Sequence, residues 1–390
     1  MKKLLFILPY YKIGGTLTSF VNLIPLIDKK KYNISVYALT NEVDNPVVLP
    51  RGVHYLGLKT DNEITESARK NIRIKIINVL KLGKKFLVKL GYDPSDIVFK
   101  KMAKPLSEKY DVVIAFQEGQ ATRMAQYISA PQKIAWVHCI YSHLKNTSNT
   151  SAVDVYNSFD KIVCVSQTAS KDMINCAPQW KDKIHVVYNA LDNAIVHEKA
   201  AKGVAFNRSI NLVSIGRIAP VKRFSYIPEI ASKLKLCGID FDWWIIGGTA
   251  VMEEYDKIMN NINLFNVEDC VHMVGELSNP YPYVKSCNLL VCLSSSETFN
   301  YTIAEAKAIG TPIISTDFPC AFEFVEHEKT GLILPLKDIP NGIKRMLRDD
   351  GLYNTIKQNL VSSKNEQSVT KEQFELLLKD GEINPVYRRF

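Results

Sequence analysis

The sequence predicts an α/β protein of more than one domain, and three observations carry that prediction. Short apolar runs of strand type, such as Leu4 to Leu8 and Asp111 to Phe116, alternate with segments whose apolar residues recur at helical spacing. Glycine-containing turns follow several of these runs, at Gly14-Gly15, Gly216 and Gly247-Gly248, where a strand hands over to the next element. A chain of 390 residues with 46% hydrophobic content is long enough for two or three packed cores.

The first half opens with Leu4 to Leu8, a run suited to a buried parallel strand, and a helix carrying Leu17, Phe20, Val21, Leu23 and Ile24. Gly14-Gly15 between them either makes a tight turn needing positive φ or lets a ligand approach the backbone closely. Asn33 to Thr40 reads as the second strand, followed later by Asp111 to Phe116, Lys133 to Val137, Lys161 to Ser166 and Ile184 to Tyr188. Strand ends carry the sites in such sheets, so Glu118 and His138, each just past a strand, are candidates. Asn193 to Arg208 reads as a polar linker.

Residues 69 to 104 interrupt the alternation. Eleven basic residues against Asp93 and Asp96 give this stretch a net charge equal to the +9 of the whole chain. Ile72, Ile76, Val79, Leu80, Leu87 and Leu90 recur at helical spacing, which predicts a basic amphipathic helix. Such a helix either addresses anionic lipid or packs on the core with a solvated lysine face. Nothing interleaves aromatics with base-reading side chains, so nucleic acid is not expected as a partner.

The second half begins with Asn211 to Ile215, and Gly216-Arg217 and Lys222-Arg223 follow before a helix. Basic side chains at a strand-to-helix turn suit a diphosphate, Arg by its fixed fork and Lys as a point charge, or else form a solvated cap. Phe241 to Ile246 and Val271 to Val274 are further strands. Asp240-Phe241-Asp242 precedes its strand, reads as solvent-facing and predicts no metal site. Beyond Gly331 the pattern is helical, over Ile343 to Leu347, Tyr353 to Leu360 and Phe374 to Leu378.

The stretch Ser294 to Pro312, SSSETFNYTIAEAKAIGTP, concentrates the chemistry. It follows the strand Leu289 to Leu293, and Asn300 to Ile309 reads as a helix closed by Gly310. The first amides of that helix, near Phe299 to Thr302, favour an anion. Glu297 in the loop and Glu305 inside the helix supply acceptors for sugar hydroxyls.

Several classes are excluded. No apolar run approaches the ~20 residues of a membrane-spanning helix, and the opening MKKLLFILPYYKIGG is too short an apolar stretch for a signal peptide. The eight cysteines form no C-x-x-C pair and read as reduced core residues, with no His and Cys cluster for a metal. The expected location is cytoplasmic.

Glu297-x7-Glu305 within this stretch resembles the donor-binding signature of glycosyltransferase family 4, retaining enzymes of the two-domain GT-B fold. SIGRIAPVKRF resembles the family's Gly-Arg...Lys motif, WVH the place of its sugar-facing histidine, and Gly14-Gly15 its first glycine loop. Thr298 and Asn300 depart from the family's usual Gly and Gly or Pro. The resemblance implies two Rossmann-like domains facing each other across a cleft. Residues 1–195 form the acceptor domain, carrying the insertion 69–104 and joined by a C-terminal helix within 365–390, and residues 205–362 form the donor domain. It further implies that Arg217 and Lys222 clamp the diphosphate with amides near Phe299, Asn300 and Tyr301. Glu305 holds the ribose, Glu297 and His138 face the transferred sugar, and Gly14, Gly15 and Gly216 lie beside the ligands. Glu118 is assigned to the acceptor. The implied partners are a nucleotide sugar, first of all a uridine diphosphate sugar, and a glycan or lipid-linked acceptor in cell-surface polysaccharide synthesis. No cofactor or metal is expected. Two other readings share these features: a nucleotide-sugar 2-epimerase, and a binding subunit without turnover.

Overall fold

The computed structural model describes residues 1–11, 14–40, 49–56, 95–147, 155–362 and 367–379. Most of the basic stretch 69–104 lies outside these residues. Its end forms the helix Ser95–Ala103, which buries Phe99 and Ala103 and exposes Lys100 and Lys101.

The chain divides into two compact units, Met1–Ala190 together with the segment that starts at Val369, and Leu191–Ser368. In the first unit the strands are β1 (Lys2–Leu8), β2 (Tyr32–Ala38), β3 (His54–Leu56), β4 (Val112–Ala115), β5 (Gln132–Val137), β6 (Lys161–Cys164) and β7 (Ile184–Val186). They form one sheet in the order β3-β2-β1-β4-β5-β6-β7, every neighbour pair parallel. The continuous apolar runs follow from helices covering both faces of such a sheet, and β4 is buried along its whole length. On one face Leu5, Ile7, Val113, Val137 and Ile162 pack against Tyr156 and Trp180.

The helix Gln367–Leu377 belongs to this unit. Phe374 lies 6.2 Å from Trp136, and Gln373 Oε1 accepts the N–H of Tyr188 at 3.0 Å. Lys161 donates to the carbonyls of Leu377 and Lys379 and Lys2 to that of Leu378, so two cations sit where the helix dipole is negative.

The second unit holds β8 (Asn211–Ile215), β9 (Asp242–Ile246), β10 (Val271–Gly275), β11 (Leu289–Cys292), β12 (Ile313–Thr316) and β13 (Gly331–Leu334). The order is β10-β9-β8-β11-β12-β13, again all parallel. Its core gathers Leu212, Trp243, Ile245, Leu289, Val291, Ile314 and Leu332. One polar chain crosses it: Trp243 Nε1 donates to Ser214 Oγ at 3.1 Å, and Ser214 donates to the Val291 carbonyl at 2.7 Å. The buried indole N–H thus finds an acceptor without leaving the sheet.

In both sheets the strand order reverses once, between β1 and β4 and between β8 and β11. Helices leave the sheet in opposite directions there, and a crevice opens at the carboxyl ends of those strands.

Four expectations are corrected. Asn193 to Arg208 is not all linker: Asn193–Ala200 is a helix, capped by Asp192, whose side chain accepts the Ile195 N–H, and anchored by buried Val196 and Ala200. Strand β13, Gly331–Leu334, precedes the helices beyond Gly331. Asp242 is buried rather than solvent-facing: Arg208 pairs with it at 3.2 Å and a ring nitrogen of His272 lies at hydrogen-bond distance, 2.7 Å, while Asp240 remains outside on Arg208. Of the cysteines, Cys237 is exposed at a helix end and is no core residue.

Candidate active site

In the second unit the chemistry collects where β8 and β11 part. After β8 the chain turns at Gly216, whose φ of 154° suits glycine. A Cβ there would press on the Lys222 side chain at 3.0 Å, and a Cβ on Gly247 would sit 1.9 Å from the Gly216 carbonyl oxygen. The two glycines therefore let the ends of β8 and β9 close together while Lys222 lies across the turn. Lys222 stands in the 3-10 turn Pro220–Lys222, and Arg223 behind it takes the left-handed conformation at φ 54°.

From there Lys222 Nζ reaches Glu297 Oε1 at 2.6 Å. Ser294 donates to the same oxygen at 2.8 Å, and the Ser295 amide bonds the Val221 carbonyl at 2.8 Å. The loop after β11 and the turn after β8 are thus sewn together across the switch point. Arg217 is exposed and has no ion pair or side-chain hydrogen bond among the described residues, which leaves its guanidinium open to an anion.

Asn300, expected beside a diphosphate through its amide, is buried and serves as the N-cap of the helix Tyr301–Ile309, its Oδ1 accepting the Ile303 N–H at 3.0 Å. This explains its presence where a glycine or proline was the expectation: the helix starts one residue later and needs a cap. Phe299 is buried against Tyr301 and Phe324, both 4.9 Å away, so the aromatic ring anchors the loop. Glu305 points elsewhere than Glu297. Tyr281 donates to its Oε1 at 3.0 Å, and burial pushes its carboxyl up to about 7, opposed by the Tyr281 bond and the charge of Lys199. The structure brings Glu297 and Lys222 into contact, with Gly216 under the lysine; Glu305 shares no hydrogen bond with them.

In the first unit Gly14 has an extended backbone, φ 164° and ψ 170°, and a Cβ on Gly14 or Gly15 would meet none of the described residues within 4 Å. The tight-turn explanation of this pair is therefore withdrawn, and open space beside the backbone stands. Glu118 Oε2 accepts the backbone N–H of His138 at 2.9 Å. Burial raises the Glu118 carboxyl and lowers the His138 imidazole to about 3, so His138 is neutral. Its ring lies between Trp136, stacked at 6.5 Å, and the edge of Phe116 at 5.1 Å, and Nε2 is buried with no hydrogen-bond partner among the described residues.

Sequence reasoning passed over Tyr281 and Ser294. Ser294 sits three residues before Glu297, within reach of local inspection, whereas Tyr281 meets Glu305 only through tertiary packing and carries no local signal. Among the described residues no group of three or more His, Cys, Asp or Glu side chains is arranged to hold a metal ion.

Comparison with known proteins fits this geometry. Residues 197–361 match the family described as Glycosyl transferases group 1. A curated relative from Campylobacter jejuni, N-acetylgalactosamine-N,N'-diacetylbacillosaminyl-diphospho-undecaprenol 4-alpha-N-acetylgalactosaminyltransferase, is 24% identical over 70% of this chain and 72% of its own. N-acetyl-alpha-D-glucosaminyl L-malate synthase of Bacillus anthracis is 24% identical over 53% of this chain, which spans only 55% of that relative. Among solved structures, Anabaena Alr3699/HepE in complex with UDP and glucose superposes with a TM-score of 0.67 at 16% identity, covering 97% of this chain and 99% of that one. At such identity the likeness speaks for the fold, which is GT-B.

Proposed function

We propose that the chain, whose residues 197–361 match the glycosyl transferases group 1 family, is a retaining glycosyltransferase. It moves a sugar from a nucleoside diphosphate sugar, first of all a uridine diphosphate sugar, to a glycan or lipid-linked acceptor of cell-surface polysaccharide. The observation that carries this is the switch-point arrangement in the second unit, with exposed Arg217 beside the Lys222–Glu297 pair. Relatives named for a diphospho-undecaprenol-linked acceptor, lipopolysaccharide core and capsular polysaccharide support the acceptor class, and a neighbour solved with UDP supports the base.

In this reading Arg217 and Lys222 take the diphosphate, Glu305 the ribose, and Glu297, released from Lys222, a hydroxyl of the transferred sugar. Gly216 keeps the backbone open beside the diphosphate. The bond from the anomeric carbon to the diphosphate breaks as the acceptor oxygen attacks on the same face, and the departing diphosphate oxygen takes the acceptor's proton. No side-chain nucleophile and no metal are needed, because the two cations stabilise the leaving charge; such a donor is worth on the order of 3 kcal/mol in a transition state. The test is a panel of nucleotide sugars, reading nucleotide release with and without glycan or lipid-linked acceptor. Acceptor-dependent release with retained configuration is expected. Release of free sugar without acceptor points to an epimerase, and binding without turnover overturns catalysis altogether.

The reading extends to place. The basic stretch 69–104 docks the protein on the cytoplasmic face of an anionic membrane, where a basic residue near the surface contributes roughly 1 kcal/mol. Reversing Lys81, Lys84, Lys85 and Lys89 to Glu is expected to abolish sedimentation with anionic liposomes and spare nucleotide binding. Wild-type protein that ignores such liposomes at low salt refutes the docking.

A further inference from the structure

The end of β11 and the start of the helix Tyr301–Ile309 are joined by a buried row of polar side chains that ends on Glu297. Asn300 Oδ1 accepts the Ile303 N–H at 3.0 Å, which leaves its Nδ2 to donate to Cys292 Sγ at 3.3 Å. The thiol, 3.6 Å from Ser294 Oγ, donates onward, and Ser294 Oγ donates to Glu297 Oε1 at 2.8 Å. Asn300, Cys292 and Ser294 are all buried. The two ends impose one direction: an amide N–H can only donate and a carboxylate only accept, so each hydrogen between them points toward Glu297. Thr316 Oγ1 faces the carbonyls of Ser294 at 2.6 Å and Cys292 at 3.3 Å, which fixes the backbone under the row.

We infer that Asn300 and Cys292 are positioning residues: through Ser294 they hold Glu297 in place when Lys222 leaves it for a diphosphate. The role of Glu297 on a sugar rests on the proposed function; the row itself stands on geometry within the second unit. Glu297 Oε1 takes both bonds, from Lys222 at 2.6 Å and from Ser294, and Oε2 has none among the described residues. Without Ser294, a carboxylate that lost its lysine would be free to turn about its side-chain torsions. With it, Oε1 stays tethered and Oε2 remains available to accept from a sugar hydroxyl. A hydroxyl that receives a hydrogen bond donates the more strongly, so the thiol and the amide behind Ser294 strengthen its hold. Asn300 thereby serves two ends with one side chain, capping the helix through its oxygen and directing the row through its nitrogen.

Three substitutions in the full chain cut or rebuild the row without adding charge. Asn300→Ser keeps a capping oxygen and loses the donor to the thiol, Cys292→Ala removes the middle, and Cys292→Ser restores a group that both accepts and donates. The ligands for calorimetry are UDP and the UDP-sugar of the panel that wild-type protein uses best. Asn300→Ser and Cys292→Ala are each expected to weaken the UDP-sugar about fivefold and bare UDP by less than about twofold. The double variant is expected to lose no more than either alone, and Cys292→Ser to recover most of the loss. Equal losses on bare UDP, or losses that multiply in the double variant, would show that these residues merely support the loop, and the positioning role falls. Urea unfolding tests the row without any ligand. Asn300 and Glu297 share no hydrogen bond, yet the effects of Asn300→Ser and Glu297→Gln on the unfolding equilibrium constant are expected to couple by about threefold, and the coupling to vanish in a Cys292→Ala background. Coupling that persists there runs through the backbone, and absence of coupling means that the links do not act together; either overturns the inference. Should wild-type protein bind no nucleotide sugar, the glycosyltransferase reading fails separately, and the unfolding measurements still decide whether the row holds Glu297.

Discussion

Replacing Glu305 by Gln removes an ionisable group that the fold holds at a raised pKa, and the size of the effect follows from how far it is raised. The carboxyl moves from 4.5 to about 7, with burial as the leading cause. A tenfold change in proton affinity corresponds to about 1.4 kcal/mol, so the ionised form costs the fold on the order of 3 kcal/mol, less what water recovers at this partly exposed side chain. The sign follows from the direction. A folded-state pKa above the unfolded value means that the native state holds the proton more tightly, so the cost is absent below about pH 4 and complete above about pH 8. Gln stays neutral throughout and can still accept from Tyr281. The stability difference between Glu305→Gln and wild type is therefore expected to grow in favour of the variant by about 2 kcal/mol between pH 5 and 8. Urea unfolding at intervals across that range measures it. A difference that does not change with pH would mean that Glu305 titrates normally, and the argument from burial would be wrong. Nucleotide binding gives the complementary reading: if ribose hydroxyls bond the ionised carboxylate, wild-type affinity for UDP rises through pH 7 with release of a proton, and Glu305→Gln loses both affinity and pH dependence.

Other outcomes follow from the same geometry. Glu297→Gln is expected to leave binding of bare UDP nearly unchanged while weakening that of the sugar nucleotide, the reverse of Glu305→Gln; equal losses for both on bare UDP in calorimetry would refute the division of roles. Chelation by EDTA is expected to leave turnover intact, since Arg217 and Lys222 supply the positive charge, and restoration of a lost rate by magnesium or manganese would overturn this. Ser214→Ala strands the buried Trp243 N–H and is expected to cost about 1–3 kcal/mol by chemical unfolding; a cost within error of zero would show that the indole finds another acceptor. Gly247→Ala puts a methyl group 1.9 Å from the Gly216 carbonyl oxygen, so little folded protein is expected on expression, and a normal melting curve would contradict the close approach of β8 and β9.

Much of this was legible in the residues because parallel strands buried on both faces leave continuous apolar runs, and ten of the strands lie within runs of that kind. Strands β3, β12 and β13 were not anticipated, although β4, β6, β7 and β11, equally short, were. Lys222 and Glu297 were each singled out, yet nothing in their spacing of 75 residues says that they touch; only the strand order β8-β11 makes them neighbours. Asn300 was read as the first residue of the helix, whereas its side chain caps a helix that begins at Tyr301. The partners of Glu118 and Glu305 lie 20 and 24 residues away on other elements, so their raised carboxyls were beyond any local pattern.

The terminal helix has a consequence for synthesis. Its Gln373 supplies the acceptor for Tyr188, its Phe374 lies beside Trp136, and its end is held by Lys2 and Lys161, residues made near the beginning and middle of translation. A ribosome therefore makes the whole of the second unit before the first receives the helix that lies beside Trp136. Until the last residues arrive, the nascent N-terminal half displays an uncovered apolar patch around Trp136. A premature stop after residue 362 would damage the body at the opposite end of the gene, and a chaperone bound to the growing chain has its longest task on the part that was made first.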